Sequence, residues 1–323
     1  IKMAGNTQTA IAVMKSGKIL SWGREDNGYG NLGHGTAYAA YTGTSVPTEV
    51  VGISDAVDVF INPQSSKYIT VALLSNGKLM KWGQDIGATP VEVPELDWPT
   101  EKAKQVVISQ SGGFFILLED GRIRGVDTHP NDAGGASWPS ASEVYVTGIT
   151  DAVQIAGGSY SGYALLSNGA VYSWGSIDAN QGNLGRLGDP NDEHNMPGRL
   201  PAQVTGIGPG SGAIKIVAYN YGLLVLYADG SVKGFGENEN DVLLQGTTTD
   251  QKIAVKLKGL PKMKTISMID SAVFAGVSQD NQLVIWPSND SIQNWVSSDP
   301  NGVAYVGVDE LLHISQSAVS LTA

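Results

Sequence analysis

The stretch Ala164-Leu-Leu-Ser-Asn-Gly-Ala-Val-Tyr-Ser-Trp-Gly175 decides the fold of this chain. An apolar segment enters the turn Ser167-Asn168-Gly169, and a second segment leaves it and stops at Gly175. Asn-Gly and Asp-Gly pairs supply the positive φ angles that tight hairpin turns need, and the flanking alternation is typical of half-buried strands. The stretch therefore predicts a β-hairpin of two antiparallel strands.

The same hairpin recurs along the chain. Five further copies have the same order of apolar strand, turn and second strand, at residues 12–23, 71–83, 115–127, 224–236 and 275–287. The turn residues are spaced 44 to 61 apart and are Gly17, Gly77, Gly121, Gly169, Gly230 and Asn281. A repeat of about 50 residues that is built from hairpins is typical of the blades of a propeller.

Flanking segments complete each hairpin to four strands. An apolar segment precedes the hairpin, as in Ala152-Val-Gln-Ile-Ala156, and a last strand follows it, often with a proline, as in Thr89-Pro-Val-Glu-Val93. Proline suits an edge strand, because its missing amide hydrogen is not needed there. The sequence predicts an all-β fold, a single β-propeller domain of four-stranded blades over residues 1–323.

This layout resembles the regulator of chromosome condensation (RCC-type) repeat family, in which a hairpin ending in Trp-Gly is followed by an Asn-x-x-Gly-Gln-Leu-Gly-x-Gly loop. The segment Asn27-Gly-Tyr-Gly-Asn-Leu-Gly-His-Gly35 matches that loop, and Asn180-Gln-Gly-Asn-Leu-Gly185 is a shorter match. The corners before the hairpins lack the family's Gly-x-x-His, so the chain is identified as a divergent member. The resemblance implies seven blades.

The two ends of the chain fit seven blades incompletely. After the sixth hairpin, residues 311–315 and 318–322 resemble the opening strands of a seventh unit, which then stops. The chain also begins at Ile1 inside a strand-like segment. We expect six full repeats and a partial seventh, within a longer polypeptide.

Charge and composition exclude several classes of protein. The net charge is −11 and there is no cysteine, so thiolate metal sites and disulfides are ruled out. Because binders of phosphate backbones usually have a basic surface, we expect no direct nucleic-acid partner. No segment approaches the roughly 20 apolar residues of a membrane-spanning helix. We expect neither membrane insertion nor a cofactor.

No pattern of reactive or metal-binding residues stands out. The four histidines lack the spacing of metal ligands or of a catalytic triad, and they are His34, His129, His194 and His313. The acidic run at 189–194 lacks the alternation of a calcium loop, and the glycine-rich run at 206–212 lacks the ending of a phosphate-binding loop. We predict no catalytic residue and no metal site, and therefore no enzyme.

The aromatic residues form two sets. One set recurs at the hairpin end and predicts packing between blades, because a fixed repeat position fills the same gap each time: Trp22, Trp82, Trp174, Phe235 and Trp286. The other set lies in variable loops and comprises Trp98, Trp138, Trp295 and Tyr29. Loops on a rigid scaffold often carry binding residues, and Trp is enriched in binding hot spots. The alternative for the tryptophans is that each folds its own loop onto a blade.

These observations predict a non-enzymatic interaction or structural module that presents its loops to another protein or to a surface glycan. The acidic, cysteine-free composition favours a bacterial or phage surface component, such as a decoration, fibre or adhesin domain in a larger assembly, although the compartment stays open. The family resemblance implies an alternative, guanine-nucleotide exchange on a small GTPase with chromatin docking, which the negative charge opposes. A third hypothesis is an enzyme inhibitor, since a propeller that inhibits β-lactamases has a similar repeat.

Overall fold

The computed structural model describes residues 2–5, 8–25, 28–61, 68–93, 100–108, 114–126, 144–146, 148–158, 161–175, 199–270, 273–287, 304–306 and 312–314. These residues form strands throughout, apart from turns and one short 3₁₀ helix, Glu239–Asp241. No helix in these ranges is long and apolar enough to cross a bilayer. The all-β fold predicted from the sequence is confirmed.

Within each of the first three blades, the strands follow one another in chain order across an antiparallel sheet. Blade 1 consists of β1 Lys2–Gly5, β2 Thr9–Val13, β3 Ile19–Arg24 and β4 Gly43–Glu49. Blade 2 consists of β5 Ala56–Ile61, β6 Ile69–Leu74, β7 Leu79–Gly83 and β8 Gly87–Glu92. Blade 3 consists of β9 Ala103–Ile108, β10 Phe114–Leu118, β11 Ile123–Val126 and β12 Val144–Tyr145.

The remaining blades have the same order of strands. Blade 4 consists of β13 Ala152–Gly158, β14 Ser161–Leu166, β15 Val171–Gly175 and β16 Arg199–Gln203. Blade 5 consists of β17 Ala213–Tyr219, β18 Gly222–Tyr227, β19 Val232–Gly236 and β20 Gln251–Lys256. The described part of blade 6 has three strands, β21 Met263–Asp270, β22 Val273–Ser278 and β23 Leu283–Trp286.

The described residues form six blades of a β-propeller, so the predicted count of seven is not confirmed. A further two-stranded sheet joins β24 Ala304–Val306 to β25 Leu312–Ile314. Strand β25 lies in the segment predicted to open a seventh unit, but its partner is the upstream strand β24. The predicted partner, residues 318–322, lies outside the described residues. A strand of three residues is too short to give a recognisable alternation in the sequence, which is why β24 was not predicted.

The chain divides into two compact units. Unit 1 contains blades 1 to 3 and most of blade 4, and unit 2 contains blades 5 and 6 and the β24–β25 sheet. In unit 1 the blades pack face to face, so that Ile11 and Ile19 of blade 1 share an apolar cluster with Val59 and Trp82 of blade 2. In unit 2 blades 5 and 6 share a corresponding cluster that includes Phe274. Burial of these faces is the main force that holds neighbouring blades together.

The hairpin turns also link one blade to the next. Gly17 has a φ of 82°, and a Cβ atom on it would lie 2.5 Å from the carbonyl oxygen of Ser54, so only glycine fits. The carbonyl oxygen of Gly17 accepts a hydrogen bond from the amide of Ala56, which opens the inner strand of blade 2, at 2.9 Å. Equivalent bonds run from Ala103 to Gly77, from Ala152 to Gly121 and from Met263 to Gly230. The five turn glycines have φ values of 82° to 86°.

Candidate binding surface

The structure describes one of the four loop aromatics that the sequence nominates for binding. Trp98, Trp138 and Trp295 lie outside the described residues, so their roles stay predictions. Tyr29 lies in the loop between β3 and β4 and is half-buried. Its ring stacks on Tyr68, with ring centroids 6.0 Å apart and an interplanar angle of 24°. Tyr29 therefore lies against the residue that precedes β6 of blade 2.

The repeated aromatics at the hairpin ends are buried, with one difference. Trp82, Trp174 and Phe235 have no exposed surface, and Trp286 is 3% exposed. The indole nitrogen of Trp82 donates to the carbonyl oxygen of Asn31 in blade 1, at 3.0 Å. Trp22 differs because it is only half-buried. The position thus contacts the preceding blade in blades 2, 4 and 6. It is buried in blade 5 and partly open in blade 1.

The segment that matches the family loop is held by a buried carboxylate. Glu25 is fully buried, and its Oε1 and Oε2 accept hydrogen bonds from the amides of Leu32, at 3.2 Å, and Tyr38, at 2.8 Å. The side-chain amide of Asn31 donates to the Thr9 hydroxyl at 2.9 Å. These bonds satisfy backbone groups that would otherwise be buried without partners. The loop is therefore a fixed part of the blade.

Two glycines let this loop approach blade 2 closely. A Cβ atom on Gly33 would lie 2.7 Å from the indole nitrogen of Trp82, and one on Gly30 would lie 2.5 Å from the backbone of Ala88. The amide of Gly35 donates to the carbonyl oxygen of Ala88 at 2.8 Å. The loop therefore connects blade 1 to blade 2, and the three glycines of its motif serve this packing.

His34 belongs to the same packed network. Its Nε2 lies 2.9 Å from the Ser21 hydroxyl, and its Nδ1 lies 3.1 Å from the Tyr38 hydroxyl. Burial lowers the pKa of His34 below its usual 6.5, although neighbouring backbone carbonyls and the Glu25 carboxylate act in the opposite direction. Both ring nitrogens of His34 are therefore engaged by hydroxyl groups of the loop and of β3.

We give the name aromatic loop surface to a group of exposed or half-buried side chains at this end of blades 1 and 2: Arg24, Tyr29, Tyr41 and Tyr68. Tyr41 is 62% exposed and has a φ of 61°, a conformation that non-glycine residues seldom adopt. Its amide donates to the carbonyl oxygen of Glu25 at 2.9 Å, which holds it in place. The guanidinium carbon of Arg24 lies 5.7 Å from the centroid of the Tyr41 ring. A rigid loop therefore presents an arginine and a tyrosine together to solvent.

Sequence reasoning missed three members of this surface. Arg24, Tyr41 and Tyr68 carry no repeat signal, and the pairings with Tyr41 and Tyr29 form only in the folded chain. The available signal was the cluster of tyrosines in the 24–45 loop, which was predicted as a variable insertion. Tyrosine and arginine are enriched in the hot spots of protein interfaces, because both contribute large contact area and hydrogen bonds.

Blade 5 has a counterpart of the blade 1 loop that the sequence does not reveal. The buried side chain of Asn238 takes the place of Glu25, since its Oδ1 accepts the amide of Leu243 at 2.8 Å. Leu244 stands with a φ of 53° where blade 1 has Gly33 with a φ of 74°. The two blades share the left-handed backbone conformation at this position, but blade 5 lacks the glycine that usually indicates it. For this reason the sequence predicted only a variable insertion at 237–251.

The rim of this second loop is acidic. Burial raises the pKa of Glu237, and the neighbouring carboxylates of Glu239 and Asp250 raise it further. Within the ranges that the structure describes, no group of three or more His, Asp or Glu side chains is arranged to hold a metal ion. The chemistry that the described surface offers is therefore aromatic, cationic and anionic contact, which suits binding to another macromolecule.

The comparisons with known proteins find similar matches. The model of the regulator of chromosome condensation (RCC1) repeat matches residues 152–181. Guanine nucleotide exchange factor SRM1 of Saccharomyces cerevisiae is 26% identical over 260 residues, which are 77% of this chain and 49% of that protein. The mitochondrial RCC1 domain-containing protein RUG3 of Arabidopsis thaliana is 24% identical over 294 residues, 90% of this chain and 54% of that protein. The chain thus spans about half the length of these relatives.

Solved structures show the same fold. A crystal structure of Kap60 bound to yeast RCC1 (Prp20) matches with a TM-score of 0.70 at 19% identity, over 88% of this chain and 69% of that chain. A structure of Prp20p from Saccharomyces cerevisiae, described with its binding to Gsp1p and histones, matches with a TM-score of 0.68, also at 19% identity, over 88% of this chain and 71% of that one.

Together these findings support an all-β propeller of the RCC1 type. The resemblance expected from the hairpins and the Asn27–Gly35 loop is confirmed.

Proposed function

We propose that this chain binds another protein, and that this protein is a small GTPase whose bound guanine nucleotide it helps to release. The observation that supports the proposal is the likeness over 77% of the chain to SRM1, which is named as a guanine nucleotide exchange factor. The aromatic loop surface offers contact groups for such a partner, since Arg24 and Tyr41 are exposed on a rigid loop.

Nucleotide exchange depends on binding and requires no catalytic residues. An exchange factor acts because it binds the nucleotide-free form of its partner more tightly, and by thermodynamic reciprocity the nucleotide is then bound more weakly. No covalent bond breaks, so neither a nucleophile nor an acid–base pair is needed. The interpretation that the chain is not an enzyme in the usual sense therefore fits this proposal.

The expectation of a bacterial or phage surface component finds no support in the relatives named above, and neither does a glycan partner. Composition favoured that setting, but composition reports only on average surface properties. The net charge of −11 opposes chromatin docking, which is a separate property from contact with a GTPase. The inhibitor hypothesis stays an untested prediction.

The exchange proposal is tested with Gsp1p loaded with a fluorescent GDP analogue. We expect the chain to accelerate release of the analogue about tenfold or more, a coupling typical of linked binding sites. The variants Arg24→Ala and Tyr41→Ala should each reduce the acceleration about tenfold, as for hot-spot residues. Val91→Ala, a change at an exposed residue of the outer strand β8, is the matched control and should have no effect.

The possible outcomes distinguish the proposal that the chain binds a protein from the proposal that it promotes nucleotide exchange. Binding of Gsp1p without faster release would retain the protein-binding function and refute the exchange activity. Neither binding nor release would refute the choice of a small GTPase of this type. Equal losses in Arg24→Ala, Tyr41→Ala and Val91→Ala would remove the aromatic loop surface as the contact site.

We also propose that a further sheet covers the free face of blade 1, as the prediction of a seventh blade within a longer single-domain chain requires. Met3 is 55% exposed, whereas the residues at the same register position in the other blades are at most 4% exposed: Val59, Val106, Ile155, Ile216 and Ile266. Trp22 is likewise more exposed than its counterparts. In blade 2, Val59 and Trp82 lie in the apolar cluster that faces blade 1, so the corresponding face of blade 1 is built for a neighbour.

Oxidation of Met3 by peroxide, followed by mass spectrometry of the protein in its native length, tests this proposal. A covered Met3 should oxidise at least several-fold more slowly than it does in the urea-unfolded protein, because burial restricts access to the thioether. Oxidation at the same rate in the folded and the unfolded protein would contradict a covering sheet.

A further inference from the structure

The inner strands of blades 2 to 6 carry a β-bulge at the same position. In blade 2, Ala56 pairs with Leu74 and Asp58 pairs with Leu73, so Val57 between them has no cross-strand partner. The corresponding bulge residues of the other blades are Lys104, Val153, Ile214 and Lys264. A bulge changes the direction in which the side chain of its extra residue points, and bulges often have a structural or functional role.

The bulge residues are exposed although their neighbours are buried. Val57 is 44% exposed, Val153 is 41% exposed and Ile214 is 53% exposed, and the two bulge lysines are exposed as well. The alanines that precede Val57 and Val153 are each 4% exposed. A single exposed apolar side chain needs no explanation, but here an exposed side chain recurs at one register position, and three of the five are apolar. Packing of the core does not account for these residues.

Three bulge residues of unit 1 lie on neighbouring strands. Strand β5 contacts β9, and β9 contacts β13, so Val57, Lys104 and Val153 occupy corresponding points at the blade end that carries the Asx-Gly hairpins. The ammonium group of Lys104 makes neither an ion pair nor a hydrogen bond with the residues that the structure describes. Its neighbour Gln105 fixes blade 3 to blade 4, because its amide group bonds to both the N–H and the C=O of Ile155 at 2.9 Å.

We propose that Val57, Lys104 and Val153, which we call the bulge surface, bind a segment of another protein that places a carboxylate between two apolar side chains. The free ammonium group of Lys104 would pair with the carboxylate, and Val57 and Val153 would be covered by the apolar side chains on either side of it. Charge complementarity argues for this occupant, since the Lys104 ammonium group, which has no ion-pair partner among the described residues, lies between two exposed apolar side chains on neighbouring strands. The inference goes beyond the proposed exchange function, because it concerns the opposite end of the blades from the aromatic loop surface.

Fluorescence anisotropy with a synthetic, fluorescein-labelled peptide tests the bulge surface. The probe has one central glutamate flanked by leucines on both sides. We expect saturable binding to the intact chain, weakened about tenfold by Lys104→Glu and about fivefold by Val153→Ser, in proportion to the lost charge pair and apolar contact. A matched peptide with lysine in place of the glutamate should bind Lys104→Glu better than the unchanged protein.

The control variant is Lys252→Glu, which makes the same change of charge at an exposed lysine of the outer strand β20. It should leave peptide binding unchanged. Absence of saturable binding to the unchanged protein would overturn the proposal, as would equal weakening by Lys104→Glu and Lys252→Glu. Nucleotide release from Gsp1p should be unaffected by Lys104→Glu, so failure of this inference can be distinguished from failure of the exchange function.

Discussion

Blade 3 contains a buried charged cluster at a place where blades 1 and 2 are apolar. Glu101 is 4% exposed and Arg124 is 5% exposed, and the Glu101 carboxylate accepts hydrogen bonds from the guanidinium of Arg124 and the hydroxyl of Tyr145. At the register position of Arg124, blade 1 has Leu20 and blade 2 has Met80. The pair therefore replaces an apolar contact with a salt bridge that water barely reaches.

Arg124→Met should strongly destabilise the protein. Methionine occupies this position in blade 2, so an apolar side chain is accommodated there. The change leaves the buried Glu101 carboxylate with only the Tyr145 hydroxyl and the more distant guanidinium of Arg122, whose N–O distance is 4.0 Å. Loss of one partner of a buried pair costs about 3–5 kcal/mol in the free energy of unfolding. The double variant Arg124→Met with Glu101→Leu removes both charges, and we expect its stability to lie within about 1–2 kcal/mol of the original, because apolar replacement of a buried pair is often neutral or stabilising.

Urea unfolding followed by tryptophan fluorescence measures these differences through the shift of the midpoint at constant slope. The control is Lys18→Met, which breaks the exposed pair between Lys18 and Glu49, whose N–O distance is 2.8 Å and whose side chains are 51% and 49% exposed. That change should cost about 0–1 kcal/mol. The reasoning is refuted if Arg124→Met lowers the free energy of unfolding no more than Lys18→Met does. It is also refuted if the loss in the double variant equals the sum of the losses in Arg124→Met and Glu101→Leu.

Three further predictions concern the turn and the titrating groups. Gly17→Ala should cost about 1–3 kcal/mol because of its left-handed φ and its contact with the next blade, whereas Gly52→Ala, with a similar φ but open space, should cost less in the same urea experiment. Because burial lowers the pKa of His34, the folded protein binds fewer protons there, so stability should fall as the pH drops below 6.5, and thermal unfolding of His34→Gln should show a weaker pH dependence. Because burial raises the pKa of Glu237, its contribution to stability falls as the pH rises above 4.5; Glu237→Gln should therefore raise the melting temperature at pH 7, and a lower melting temperature would contradict the assignment.

The blades could be predicted because their signals are local in sequence. The Asn168-Gly169 turn lies between β14 and β15, as the alternation around it indicates. The prolines at 47, 90 and 201 lie on the outer strands β4, β8 and β16, where an amide hydrogen is dispensable. Each of these features depends on residues within a few positions of one another, so the sequence alone specifies it.

Features that depend on contacts between distant residues could not be predicted in this way. Glu101 meets Arg124, 23 positions away, and Tyr145, 44 positions away, and no local pattern marks either partner. The blade 5 loop escaped notice because Leu244 adopts the left-handed conformation that Gly33 has in blade 1. The aromatic loop surface was found only at Tyr29, since its partner Tyr68 belongs to the next blade.

The positions of the two proposed surfaces allow them to be tested independently. The aromatic loop surface lies where β3 ends and β6 begins, and the bulge surface lies where β5, β9 and β13 begin, at the opposite end of the blades. The six residues of β6 span about 20 Å at roughly 3.3 Å per residue, and changes separated by more than about 10 Å usually add. A chain that carries both Tyr41→Ala and Lys104→Glu should therefore lose nucleotide release and peptide binding to the same extents as the two single variants. Losses larger or smaller than additive would indicate that one partner contacts both ends, or that the rigid blade between them transmits strain.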